Sequence, residues 1–67
     1  MKPLPPRGHR LTKSQCLRLI EQHAAATWST RSEREEYGWR QTFAADGVAL
    51  FYIYMSNAHD EVRAVRL

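Results

Sequence analysis

Between Leu11 and Trp28 the apolar residues recur at helical spacing. Leu17, Ile20, Ala24 and Trp28 follow at three- and four-residue intervals, which predicts one apolar stripe, with Arg18, Glu21 and Gln22 largely on the other side. The start of this helix is marked at Thr12. Thr12 and Gln15 have the spacing of a capping box, in which each side chain serves a backbone donor of the other residue. Leu11 before the cap and Cys16 four residues after it can close a hydrophobic staple. The Ala24-Ala25-Ala26 run adds helix propensity and permits close approach of a neighbour. The pattern predicts a helix over about residues 12–28.

From Tyr37 onward the period falls to two, through Tyr37, Trp39 and Phe43. Asp46-Gly47 is the strongest turn signal, because both central positions of a type I′ hairpin need positive φ, which Asp tolerates and Gly accepts freely. The run Val48 to Met55 is rich in β-branched and aromatic residues and reads as a central strand. A loop from Ser56 to Asp60 and a short final strand complete the chain. Residues 29–36 read two ways. Thr30 with Glu33, and Ser32 with Glu35, have capping-box spacing and suggest a short second helix, whereas Gly38 and the period-two aromatics oppose a long one. A helical turn or loop giving way to a strand near Glu36 is expected. The opening residues 1–10 hold all three prolines and read as a mobile basic tail bearing Lys2, Arg7, His9 and Arg10. The expected architecture is α+β. A helix (12–28) packs on a three-stranded antiparallel meander (36–45, 48–56, 61–67), and residues 11–67 form one domain behind the tail.

A two-residue turn at Asp46-Gly47 fixes a register by counting outward. Ala45 then opposes Val48, Phe43 opposes Leu50, Gln41 opposes Tyr52 and Trp39 opposes Tyr54. One face of the hairpin becomes aromatic, with Tyr37, Trp39, Tyr52 and Tyr54 beside Gln41. The other carries Ala44, Ala49, Phe51, Ile53 and Met55. A bulge would exchange the two sets. One helix covers one face, so the second face needs another explanation, since contiguous exposed apolar patches mark interaction sites. It could be the true core face, the seam of a homodimer, or a platform that stacks unpaired bases.

Composition narrows the function classes. A chain of 67 residues has a marginal core and usually needs a supplement such as a disulfide, metal or partner subunit. Cys16 is the only cysteine, so an internal disulfide is excluded and a reducing, cytoplasmic setting is expected. The longest apolar run is too short for a membrane span, and the basic N-terminus continues into prolines instead of an apolar signal segment. The net charge of +3 comes from basic residues spread along the chain and broken by Glu33, Glu35 and Glu36. It permits an acidic or nucleic-acid partner without demanding one. Lys2, Arg7, Arg10, Arg63 and Arg66 are the candidate phosphate or acidic-partner contacts. A winged helix, reading DNA with Arg31, Arg34 and Arg40, is opposed by the glutamates among them.

Catalytic chemistry is thinly represented. Cys16 and His23, with His9 and His59, are the soft ligands, but seven residues on a helix separate the first two by about 10 Å, too far for one ion. Cys16 in the first helical turns could be a thiolate, yet the staple explains it as a small hydrophobe. No glycine-rich phosphate loop is present, and no cofactor, metal or small-molecule substrate is expected. The sequence therefore points to a non-enzymatic binding module. It would be a regulator or inhibitor acting on a protein partner, or self-associating, through the aromatic sheet face (Tyr37, Trp39, Gln41, Tyr52, Tyr54) or an open sheet edge. Compact chains of this kind suit elements that act on a larger machine, including those carried on mobile elements. A single-stranded nucleic-acid binder using the same face and the basic tail is the alternative.

Overall fold

In the computed structural model, which describes residues 3–67, the chain forms one helix and a five-stranded antiparallel sheet. The elements are β1 (Arg10–Leu11), α1 (Lys13–Gln22), β2 (Trp28–Arg34), β3 (Gly38–Ala45), β4 (Val48–Ser56) and β5 (Val62–Arg66). The strands lie in the order β1-β5-β4-β3-β2. The α+β class and the β3-β4-β5 meander agree with the pattern of the sequence. The expected three strands are corrected to five by β1 and β2, which flank the meander.

The helix starts as its cap predicts. Gln15 N–H donates to Thr12 Oγ1 at 3.3 Å, and Thr12 N–H donates to Gln15 Oε1 at 2.7 Å. It ends six residues before Trp28, correcting the expected 12–28 span. His23 is its C-cap, and Trp28 begins β2. The reason is geometric. The helix leaves β1 on one edge of the sheet and must deliver the chain to β2 on the other, four strand spacings or about 19 Å away. Ten helical residues rise about 15 Å, and the turn at 23–27 supplies the rest. That turn is held by Trp28 Nε1–H donating to the His23 carbonyl at 3.0 Å. The Thr27 N–H also donates to Asp46 Oδ1 at 2.9 Å.

The helical stripe is also corrected. Cys16 and Leu19 are buried, whereas Leu17 and Ile20 are exposed. The core joins Leu11, Cys16, Leu19 and Phe51, with Leu4, Trp28, Phe43, Leu50, Ile53 and Ala64 packed around them. The segment read as a mobile tail contributes to it. Leu4 packs on the core, Gly8 N–H donates to Arg66 O at 2.7 Å, and Arg10 pairs with Val65.

The Asp46-Gly47 turn forms as expected, with φ of 49° and 80° and Ala45 opposite Val48. The register beyond it does not. Ala44 opposes Ala49 but Phe43 opposes Phe51, so Leu50 is an extra residue and the ladder is bulged. Thr42 then faces Tyr52, Gln41 faces Ile53, Arg40 faces Tyr54 and Trp39 faces Met55. The bulge turns Phe51 toward the helix, where it is 1% exposed and stacks on Phe43 with ring centroids 4.9 Å apart. Farther along, Gly38 lets β3 approach β4 closely. A Cβ there would run into the Met55 carbonyl oxygen and the Tyr54 hydroxyl.

Two truncations separate the observed core from the stripe expected of the sequence. Phe51→Ala is expected to cost about 3–5 kcal/mol, comparable with the whole stability of so small a domain. Leu17→Ala, at a residue 49% exposed, should stay within about 0.5 kcal/mol. Denaturant melts of both variants check this; equal losses would restore Leu17 to the core.

Candidate functional site: a divided aromatic set and an open sheet edge

The bulge distributes the expected aromatic site over both sides of the sheet. Trp39 and Gln41 share the helix side with Phe43, Ile53 and Met55, while Tyr52 and Tyr54 lie on the other side with Thr42 and Arg40. Tyr37 sits at the tip of the β2–β3 hairpin, 71% exposed, and its carbonyl accepts from Asn57 N–H at 2.8 Å. The single aromatic face expected of Tyr37, Trp39, Gln41, Tyr52 and Tyr54 is thus corrected to two smaller surfaces and a tip.

On the helix side, α1 covers the end of the sheet near Leu50 and Phe51. The far end stays open, with Trp39, Met55 and Val62 exposed. A groove of about 470 Å³ lies there, lined by Ser32, Trp39, Gln41, Ile53, Met55 and His59. His59 is fixed at its rim, with Nδ1 3.1 Å from Met55 Sδ.

The opposite side carries stacked cations. The Arg40 guanidinium lies 4.9 Å from the Tyr52 ring centroid and that of Arg63 lies 4.6 Å from Tyr54. Both are also ion-paired, Arg40 to Glu35 at 2.6 Å and Arg63 to Glu61 at 2.5 Å. Arg40 Nε is buried and, among the described residues, has no hydrogen-bond partner, while Nη2 takes the Glu35 carboxylate. Each tyrosine face is therefore already occupied by a cation, and each cation by an acid. A nucleic-acid strand would have to displace both to stack and to bind phosphate.

The remaining candidate cations fall into two places rather than one: Arg7 and Arg66 line one depression, and Arg10 lines another with Lys13 and Arg63. Arg10 lies in β1 opposite Val65, and Arg66 donates through Nη1 to the Pro5 carbonyl at 2.7 Å. Arg7 and Arg66 share a depression with Leu19, Gln22 and Leu67, and Lys2 lies outside the described residues. Among the described residues no three His, Cys, Asp or Glu side chains come together as a metal site. Likewise no helix of the described residues is long and apolar enough to cross a membrane. Cys16 is buried in the core, and burial pushes its thiol above the ordinary value of 9.0.

The feature that pattern reading missed is the edge strand β2. Glu35 N–H donates to Gly38 O at 2.8 Å, and Asp46 N–H donates to Thr27 O at 2.9 Å. In an antiparallel ladder the bonded positions alternate, so Ser29, Arg31 and Glu33 also turn their backbone groups toward β3. Trp28, Thr30, Ser32 and Arg34 turn theirs outward. β2 ends the sheet, and among the described residues no partner meets those outward groups. The opposite edge is β1, only two residues long and paired with Val65 and Ala64 of β5. The signal in the sequence was negative: Thr30 to Glu36 carries capping residues but no apolar residue at helical spacing.

No protein-family model matches the chain, and neither the curated proteins nor the solved structures compared with it contain a match.

The folded state favours the neutral form of the Cys16 thiol, so stability from this group is complete below about pH 9 and is lost as pH rises through the raised value. The stability advantage of the native protein over Cys16→Ala should shrink above that pH. In parallel, a thiol reagent at about pH 8 should label the folded protein far more slowly than the unfolded one. Melts and labelling rates measure the two effects, and fast labelling of the folded form would contradict burial.

Proposed function

We infer that this protein is a non-enzymatic binding module that engages a protein partner by strand addition along β2. The observation that carries the reading is the open edge itself. Seven residues run without proline or bulge, and among the described residues nothing pairs with their outward N–H and C=O groups. Natural sheets blunt such edges, because an exposed ladder is a template for another strand. Here one edge is reduced to two residues while the other is left long. Strand addition draws affinity from backbone hydrogen bonds and specificity from the side chains on either side. The groove at Trp39, Gln41 and Met55 adjoins the edge on the helix side and supplies an apolar contact of the type enriched at protein interfaces. A module of this size would act as a regulator or inhibitor by occupying the partner's own strand-pairing surface.

Nucleic-acid binding through Tyr52, Tyr54 and the arginines has less support, because those cations are already engaged by Glu35 and Glu61.

Ser32→Pro tests the edge selectively. The Ser32 N–H points outward, so proline removes a donor from the open ladder and none from the bonds to β3. Tagged native protein and this variant, folded alike by circular dichroism, are compared for capture of protein from the native host. A partner retained by the native chain and lost with the variant is the expected result. Equal capture by both would overturn the edge as the binding surface.

A further inference from the structure

The charge pattern on β2 names the strand that fits it. We propose that β2 pairs with β2 of a second copy, antiparallel, about a two-fold axis passing between the two Ser32 residues. This rests on the reading of β2 as a binding edge and goes further by specifying occupant and register.

The hydrogen-bond phase of the edge restricts the choices. Residues directly opposed across an antiparallel pair must both turn their backbone groups toward the seam or both away. In a two-fold pair of β2 strands the axis must therefore pass at a residue and not between residues. Near the middle of the strand, four positions qualify. An axis at Arg31 sets Arg31 against its own copy, and one at Glu33 does the same with carboxylates. Like charges directly opposed are destabilising. An axis at Thr30 places Arg31 opposite Ser29 and Glu33 opposite Thr27, with no ion pair gained. The axis at Ser32 alone sets Arg31 of each copy opposite Glu33 of the other.

In that register the outward groups of Ser32 exchange two hydrogen bonds across the axis. Thr30 and Arg34 exchange two more on each side, about six backbone bonds in all. The Arg31–Glu33 positions become the non-bonded pairs, where side chains approach most closely, with Cα atoms about 4.5 Å apart. Within one chain Arg31 Nε already lies 3.3 Å from Glu33 Oε1, and both side chains are substantially exposed, at 81% and 46%. Pairing would convert two local contacts into a four-charge cluster of alternating sign. The two sheets would join into one of ten strands, near the upper limit for an open twisted sheet.

Cysteine placement reads the register directly. Across a bonded pair the Cα separation is about 5.5 Å, within disulfide range. Ser32→Cys should therefore form a disulfide-linked dimer under mild oxidation. Thr30→Cys, whose copies would lie about 14 Å apart along the seam, should not. Both sites are exposed, and each variant is checked for native melting. Charge exchange gives a second readout in sedimentation of the full chain. Arg31→Glu and Glu33→Arg should each weaken dimerisation roughly tenfold, and the double exchange should recover most of the loss. Crosslinking at Thr30 instead of Ser32, or no recovery in the double exchange, would overturn the register. A native protein that sediments as a monomer at high concentration would overturn self-pairing altogether. The wider reading would then stand or fall separately, on whether Ser32→Pro still abolishes capture of a different protein.

Discussion

The extra residue at Leu50 governs the arrangement of everything around it. Without it, strict alternation from the Asp46-Gly47 turn would set Phe43 against Leu50 and turn Phe51 away from the helix. With it, Phe43 and Phe51 stack beneath Leu19 and Cys16, and a core this small can be closed by one ten-residue helix. The same step sends Tyr52 and Tyr54 to the far side, where Arg40 and Arg63 cap them. A single inserted position thus decides both what is buried and what is left for contact.

How much of this is legible in the sequence depends on whether the determining interaction is local. The capping box at Thr12 and the turn at Asp46-Gly47 are short-range and appear where their residues predict. The bulge is not local. It reflects the advantage of burying Phe51 against a helix placed from elsewhere in the chain, and no spacing near Leu50 announces it. The helix end is similar. The alanines at 24–26 favour continuation, but the chain must reach the far edge of the sheet, and Trp28 is claimed by β2 and by the His23 carbonyl. Of the residues proposed from the pattern, Tyr52 and Tyr54 stay together, Trp39 and Gln41 stay together, and the two pairs part company.

β2 was hidden for a different reason. A strand at the rim of a sheet, with no helix over it, has no apolar face to reveal its period. Ser29 to Arg34 is polar on both sides, and its serines, threonine and glutamate, with Glu35 beyond it, mimic helix starts. What makes it a strand is the ladder offered by β3, a tertiary cause that outweighs propensity. Its charges, Arg31, Glu33 and Arg34, stand among serines and a threonine, as suits a surface open to water on both faces. They also leave it without the lysines or proline that commonly discourage pairing at an edge.

The pairing of β1 with β5 joins the two ends of the described chain. Leu11, a core residue, is held opposite Ala64, and Gly8 reaches the carbonyl of Arg66. Contacts between the most distant parts of a chain carry the largest closure entropy and tend to form late. During synthesis, Leu11 and α1 emerge long before the strand that fixes them. Until β5 leaves the ribosome, the apolar side of the hairpin has one border missing. The helix therefore has a complete sheet to lie on only once β5 has paired with both β4 and β1.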